Sequence, residues 1–311
     1  MTERSGGGDF RIDAFLDWVE IRLTLAEPTQ SRYLRAALPR AWAGGGKAPY
    51  VRSESGQSNN TDTVFTIRIQ DPVSAFTVRM DLERLASGFR FAAPPQITAV
   101  EVGVDAHPLT DTVDLVALAE RLYRGAAQPA SNNRRIPGVK GTKGGVTSAL
   151  ESRPQNRLAL QRGRPLFIGN EHDPVAQRIY VKDGNRARFE VTFKFGSVPF
   201  RTLEQWSEFR FTDLSNHFRW RRQSAAVSDF HQLLQDTRVV LAEAEPAGAK
   251  QRHRRLHRQG TEADHQLREL AYQALRRLTS AQRKAPRRWT ASNAELGSVG
   301  GKTDAENKAS S

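Results

Sequence analysis

The segment from Ala176 to Phe195 (AQRIYVKDGNRARFEVTFKF) constrains the fold more than any other part of this sequence. Apolar and polar residues alternate on both sides of the triplet DGN at positions 183–185, as they do in the two strands of an antiparallel hairpin. The segment predicts strands at Ala176–Lys182 and Arg186–Phe195. A hairpin with one apolar face has to cover that face, so it predicts an antiparallel sheet packed on one side.

The length of the hairpin loop decides which side chains share a face. A three-residue loop places Tyr180 opposite Arg188 and keeps the apolar side chains together. A two-residue loop would place Tyr180 opposite Ala187 and would mix the two faces. The longer loop is therefore predicted, and its polar face carries Arg178, Tyr180, Lys182, Arg186, Arg188, Glu190 and Thr192.

The other segments predict an α+β fold around this hairpin. Strands are predicted at Trp18–Leu25, Thr63–Gln70, Ile97–Ala106 and Leu166–Ile168, and helices at Ser31–Leu38, Ser74–Ser87, Asp111–Tyr123, Leu203–Phe209, Ala225–Glu243 and Thr261–Leu278. A strand–helix–strand rhythm occurs twice, which favours a central, mainly antiparallel sheet built from repeated strand–helix–strand units over a doubly wound sheet.

Composition divides the chain further. We expect a disordered N-terminus at 1–9, an α+β domain in two halves at 10–127 and 166–245, and a basic mobile loop at 128–165, where Gly, Pro and Asn are frequent. A basic helical C-terminal extension is predicted at 246–284, followed by a disordered tail at 285–311.

The net charge of +13 is concentrated in two segments. Ser131–Arg164 has eight basic residues and one acidic residue, and Pro246–Trp289 has twelve basic residues and three acidic ones. Such clustering is typical of proteins that bind nucleic acid, with DNA favoured, while acidic lipid or an acidic protein is the alternative partner. The candidate DNA contacts in these segments are Arg134, Arg135, Lys140, Lys143, Arg254, Arg255 and Arg258.

Several other classes of protein are disfavoured. Cysteine is absent, which excludes disulfides and thiol catalysis. The sequence shows neither a signal-peptide pattern nor an apolar run that could span a bilayer, so we expect a cytoplasmic protein without membrane contact. GVKGTKGG at 138–145 lacks the Walker A spacing. His253 and His257 could hold zinc, but the arginines around them favour phosphate binding. Trp220 stays a candidate base-stacking residue.

A second chemical feature lies in the strand TAVEVGVDAH at 98–107. Its valines point to the core, whereas Glu101, Gly103, Asp105 and His107 share the opposite face. An acid inside a strand needs solvent or a partner. Carboxylate oxygens beside a small glycine suit Mg²⁺ or Mn²⁺. A divalent cation site and a solvated sheet face are both consistent with this pattern.

Tyr180 lies among cations on the predicted polar face of the hairpin. Neighbouring positive charges lower the pKa of a phenol such as that of Tyr180, and the phenolate is a better nucleophile toward phosphorus. A protein that only binds nucleic acid can use the same basic face without any chemistry at the tyrosine. The residues alone leave both interpretations open.

The run RIYVKDGNRARFEVTF at 178–193, together with LFIGN at 166–170, resembles the signature of Rep-trans type replication initiation factors of plasmids and phages. The strand ITAVEVGVDAH at 97–107 also resembles the acidic strand of that family. The resemblance covers residues 97–195. The sequence departs from the family pattern at Val181, where an acid is usual, and at Asn170, where a serine is usual.

The resemblance implies an enzyme that nicks one DNA strand at a replication origin through a tyrosine and a divalent metal, and so primes rolling-circle synthesis. It implies that Tyr180 is the nucleophile, that Glu101 and Asp105 are metal ligands, and that Glu190 is a third acid at the site. Arg178 and Lys182 would contact phosphate, with Arg186 and Arg188 beside them. A host helicase and a second copy of the chain are candidate partners. A non-enzymatic DNA-binding or single-strand-binding regulator is the alternative.

Overall fold

A computed structural model describes residues 10–38, 49–54, 61–126, 134–135, 153–169, 172–223 and 261–283. Within these ranges the main sheet has eight strands, of which β5 is only two residues long. The strands are β1 (Phe10–Gln30), β2 (Tyr50–Ser53), β3 (Thr61–Gln70), β4 (Phe91–Pro108), β5 (Arg134–Arg135), β6 (Leu166–Ile168), β7 (Val175–Lys182) and β8 (Arg186–Lys194). Their order in the sheet is β2-β3-β1-β4-β8-β7-β6-β5, and each described pairing is antiparallel.

The helices lie between and after these strands. They are α1 (Ser31–Ala37), α2 (Ala75–Gly88), α3 (Leu115–Gly125), α4 (Arg153–Gln161), α5 (Leu203–Glu208) and α6 (His265–Arg283). Two short strands, β9 (Arg221–Gln223) and β10 (Thr261–Ala263), form a separate antiparallel pair. The predicted α+β class with a mainly antiparallel sheet is confirmed.

One face of the sheet carries the apolar core. The valines at 100, 102 and 104 of β4 lie beside Phe193, Val191 and Phe189 of β8, and these side chains are almost completely buried. Helices α2, α3 and α6 bury their apolar stripes in the same cluster. The opposite face of the central strands is therefore the one that presents polar side chains.

The predicted register of the hairpin is confirmed. Tyr180 pairs with Arg188, Arg178 with Glu190, and Lys182 with Arg186. Asp183 and Gly184 have φ angles of 52° and 65°, a left-handed conformation that glycine adopts freely and aspartate tolerates. The turn thus lets the apolar alternation of both strands stay on one face.

Several element predictions need correction. Strand β1 begins at Phe10 rather than Trp18, helix α4 lies inside the predicted loop 128–165, strand β2 lies where no element was predicted, and β10 lies at the predicted start of the last helix. Helix α3 begins at Leu115 rather than Asp111, because the Asp114 carboxylate accepts hydrogen bonds from the backbone amides of residues 116 and 117 at 2.9 and 3.1 Å.

The predicted C-terminal extension is not confirmed as a separate element. Helix α6 packs against β1, buries Leu267 and Leu275 in the core, and donates a hydrogen bond from Arg277 Nη2 to the Ile12 carbonyl at 2.6 Å. This helix is an integral layer of the fold. The predictions for 1–9, 225–243 and 285–311 lie outside the described residues.

Candidate metal and tyrosine site

Three adjacent strands bring the two predicted polar faces together. In register across β4, β8 and β7, Asp105 lies opposite Arg188, which lies opposite Tyr180. One row further along, Gly103 is opposite Glu190. The acidic strand and the tyrosine therefore share one surface of one sheet.

The centre of this surface is a cluster of three carboxylates, from Asp17, Glu101 and Glu190. One oxygen of each lies within 4.8 Å of the others. All the candidate ligand atoms are hard oxygens, which is the donor set that Mg²⁺ and Mn²⁺ prefer. The three residues therefore fit a divalent cation by geometry and by donor chemistry.

Asp17 was not predicted as a site residue. Across β1 and β4, Leu16 pairs with Val102 and Trp18 with Glu101, so the register skips Asp17 at a β-bulge. Asp13 and Phe15 lie opposite Asp105 and Gly103, so Asp17 follows them onto the polar face by ordinary alternation, and the bulge turns Trp18 to that face as well. Asp17 was missed because the predicted strand began at Trp18, one residue later.

Glu101 is buried and held by three donors. Trp18 Nε1 donates to Glu101 Oε1 at 2.8 Å, Arg178 Nη2 donates to the same oxygen at 3.2 Å, and the Thr192 hydroxyl donates to Oε2. Burial, and then the charge of Glu190, raises the pKa of Glu101 to about 7, against the lowering effect of Arg178. The Glu101 carboxylate is thus shielded from water, and its negative charge is only partly balanced by Arg178. Its burial excludes the interpretation of a solvated sheet face.

Tyr180 is hydrogen-bonded to the acid cluster. Its hydroxyl donates to Glu190 Oε1 at 2.8 Å, while Arg178 Nε donates to Glu190 Oε2 at 2.5 Å. Burial raises the pKa of Glu190. Burial, followed by the charge of Glu190, also raises the pKa of Tyr180 well above its usual range, because these effects outweigh Arg188 and Arg178. The two arginines do lower the pKa of Tyr180, as predicted, but burial and Glu190 outweigh them, so the neutral phenol is favoured overall.

Asp105 lies on the same face but outside the three-carboxylate cluster. Arg188 binds it with two hydrogen bonds, Nε to Oδ1 at 2.6 Å and Nη2 to Oδ2 at 2.7 Å. Arg186 Nε lies 3.0 Å from Asp105 Oδ2. Arg188 is buried, and its guanidinium stacks 4.0 Å from the centre of the Phe15 ring. This ion pair fixes one edge of the site.

Gly103 is required by this packing. A Cβ atom built on it would lie 2.3 Å from Cζ of Phe15, far inside van der Waals contact. Phe15 lies opposite Gly103 across β1 and β4. The ring therefore occupies the space above the glycine and supports Arg188 from below.

The predicted DNA contacts differ in their surroundings. Arg186 is partly exposed and Arg188 is buried, and both pair with Asp105. Lys182 and Arg178 are partly exposed beside the cluster. Arg134 and Arg135 form β5, while Lys140, Lys143, Arg254, Arg255 and Arg258 lie outside the described residues, as do His253 and His257. Trp220 is 1% exposed and packs edge-on against Phe189 at 5.2 Å, so it is a core residue rather than a base-stacking platform.

Comparison with models of known families gives no match, and comparison with curated proteins gives none either. Among solved structures, a rolling circle replication initiator protein from Geobacillus stearothermophilus aligns with 12% identity and a TM-score of 0.34. The alignment covers 69% of this chain and 88% of that chain. A similarity at this TM-score and identity does not establish the function of this chain. No helix in the described ranges combines the length and apolarity needed to cross a bilayer.

Proposed function

We propose that this protein nicks and rejoins a DNA strand at a replication origin, with Tyr180 as nucleophile and Mg²⁺ or Mn²⁺ held by Asp17, Glu101 and Glu190. One observation carries the proposal. The Tyr180 hydroxyl donates to a carboxylate, Glu190, that belongs to the three-acid cluster. The Glu190 carboxylate therefore connects a potential nucleophile, Tyr180, with a potential cation site, and it is itself a potential base.

Glu190 is the residue that would accept the phenol proton. The raised pKa of Tyr180 keeps the phenol neutral near pH 7, so attack on phosphorus requires a base. Glu190 Oε1, 2.8 Å from the phenol oxygen, is within direct transfer distance.

In the proposed reaction the Tyr180 oxygen forms a bond to phosphorus while the bond from phosphorus to the 3′-oxygen breaks. The phenol proton passes to Glu190, and the departing 3′-oxygen takes up a proton from solvent to become a free hydroxyl. A bound cation would neutralise the charge that develops on the phosphate. The 5′-phosphotyrosine conserves the phosphodiester energy, so attack by a 3′-hydroxyl reverses the step and rejoins the strand.

The chain thus becomes a candidate rolling-circle initiator, in line with the resemblance of its hairpin to the Rep-trans pattern. DNA is the proposed partner, with a helicase and a second copy of the chain as further candidates. We also propose that Arg178, Lys182 and Arg186 contribute to phosphate binding next to Tyr180, while the buried Arg188 holds Asp105 in place. Each of these roles follows from the position of the residue on the same face as the tyrosine.

The test is nicking of supercoiled DNA with Mn²⁺, together with detection of protein covalently attached to a labelled 5′ end. Tyr180→Phe should abolish both the nick and the adduct and leave DNA affinity within about twofold, because only the nucleophilic oxygen is lost. Tyr50→Phe is the matched control, since Tyr50 is an exposed tyrosine on the edge strand β2. An undiminished adduct with Tyr180→Phe would refute the assignment.

The alternative is a regulator that binds DNA without cutting it. One observation favours it: arginines already pair with Glu101, Glu190 and Asp105, as in a purely structural ion network. In that case wild type and Tyr180→Phe would bind DNA equally and neither would form an adduct. The same assay therefore separates the two functions.

A further inference from the structure

Arg178 lies between the acid cluster and solvent. It donates from Nε to Glu190 Oε2 at 2.5 Å and from Nη2 to Glu101 Oε1 at 3.2 Å. Its side chain is 37% exposed, whereas those of Glu101 and Glu190 are 5% and 0% exposed. One guanidinium thus bridges two of the three carboxylates from the open side of the site.

This position conflicts with a bound cation. Each carboxylate oxygen has two lone pairs, and Glu101 Oε1 already accepts from both Trp18 and Arg178. A divalent ion at the cluster would also lie within a few ångströms of the positive guanidinium, where like charges repel strongly in a partly buried site. Arg178 and the cation therefore compete for the same carboxylates.

Arg178 is able to leave, unlike its neighbour Arg188. Arg188 is buried and holds both oxygens of one carboxylate, Asp105, in a paired geometry. Arg178 makes one hydrogen bond to each of two acids, and its guanidinium carbon lies 5.4 Å from the centre of the Tyr180 ring. A phosphate placed for attack by Tyr180 is within reach of that guanidinium, and the arginine fork matches phosphate oxygens well.

We propose that Arg178 couples DNA binding to cation binding. Without DNA it serves as the counter-ion of Glu101 and Glu190; with DNA it transfers to the phosphate beside Tyr180 and frees the carboxylates for the cation. The inference rests on the proposed function, because it takes a phosphodiester and a divalent ion as the ligands of this site. Linkage is reciprocal, so each ligand tightens the binding of the other by the same factor.

The experiment measures Mn²⁺ binding by the electron paramagnetic resonance signal of free Mn²⁺, in full-length protein carrying Tyr180→Phe so that no DNA is cut. Titrations are run alone and with a saturating ten-nucleotide oligothymidine, after subtraction of Mn²⁺ bound by the oligonucleotide. We expect the oligonucleotide to tighten Mn²⁺ binding about tenfold, within the usual range of such couplings. This arm needs no substitution at Arg178, so it holds even if a variant there folds poorly.

In the second arm, Arg178→Gln should tighten Mn²⁺ binding about tenfold without DNA and should lose most of the response to oligonucleotide. Arg201→Gln is the matched control: it makes the same substitution at an exposed arginine to which no role in the site is assigned. A similar gain in Arg201→Gln would assign the effect to general charge and overturn the proposal.

A third variant, Asp17→Asn, separates failure of the coupling from failure of the proposed function. If Asp17→Asn weakens Mn²⁺ binding but oligonucleotide and Arg178→Gln leave the dissociation constant unchanged, the coupling is wrong and the metal site stands. If no protein binds Mn²⁺ at millimolar concentration, with or without oligonucleotide, the metal site of the proposed function falls, and the coupling with it.

Discussion

Replacing Glu101 by glutamine should remove a pH-dependent loss of stability. Burial and the charge of Glu190 raise the pKa of Glu101 from 4.5 to about 7 in the folded chain, whereas unfolding returns it to its ordinary value. The folded state therefore binds a proton more tightly than the unfolded state does. The contribution of the Glu101 carboxyl group to the free energy of unfolding is fully present below pH 4.5 and is lost as the pH rises through about 7.

The size of the loss follows from the same shift. At about 1.4 kcal/mol per pH unit, a rise from 4.5 to about 7 corresponds to about 3 kcal/mol in the free energy of unfolding. Glu101→Gln keeps the shape and an acceptor for Trp18 but carries no charge. We expect it to stay within about 1 kcal/mol of wild type at about pH 5 and to exceed it by up to about 3 kcal/mol at about pH 8.

The assay is urea unfolding between about pH 5 and 8.5 in the presence of a chelator, followed by tryptophan fluorescence. Glu83→Gln, an exposed site on α2, is the control and should track wild type at every pH. Saturating Mn²⁺ should restore the stability of wild type at high pH, since it binds the charged form, and should have little effect on Glu101→Gln. An unchanged pH dependence in Glu101→Gln would refute the reasoning.

Three further predictions follow from other contacts. Gly103→Ala should cost about 1–3 kcal/mol in thermal unfolding, because its Cβ meets the Phe15 ring, and adding Phe15→Leu should recover part of that loss; strictly additive costs would contradict this packing. Asp17→Asn should weaken Mn²⁺ binding about tenfold or more in calorimetry with unchanged circular dichroism, and an equal affinity would remove Asp17 from the site. Glutamine at all three of the arginines 254, 255 and 258 should lower the slope of log DNA affinity against log salt by about 2 to 3, whereas an unchanged slope would place the phosphate contacts elsewhere.

The hairpin and its polar face could be predicted from the sequence because their cause is local. Alternation with a period of two, interrupted only by DGN, allows a single register that keeps Phe189 and Val191 on the apolar face. The same reasoning placed Glu101 and Asp105 on the polar face of β4. Helix α4 escaped prediction because Arg153–Gln161 lies within a stretch whose Gly- and Pro-rich flanks dominate its composition.

The electrostatic state of the site could not be predicted in this way. Sequence placed Tyr180 among cations, but the sign of its pKa shift depends on burial and on its distance from Glu190, which outweigh Arg178 and Arg188. The sequence also could not show which acids form the cation site. Arg188 pairs with Asp105, whereas Glu101 belongs to the three-carboxylate cluster. The pKa of a side chain depends on its burial and on all the charges and hydrogen bonds around it, and these are fixed only in the folded protein.

The sequence by itself determined the antiparallel hairpin, the α+β class and the face on which Tyr180, Glu101 and Glu190 lie, since side-chain alternation is a property of neighbouring residues. Only the tertiary structure decided that Asp17 joins Glu101 and Glu190. That choice depends on the pairing of β1 with β4, between residues 83 positions apart such as Trp18 and Glu101, and a bulge in β1 turns Trp18 to the same face. A bulge displaces every later side chain by one face, and no local pattern records where the partner strand will require it.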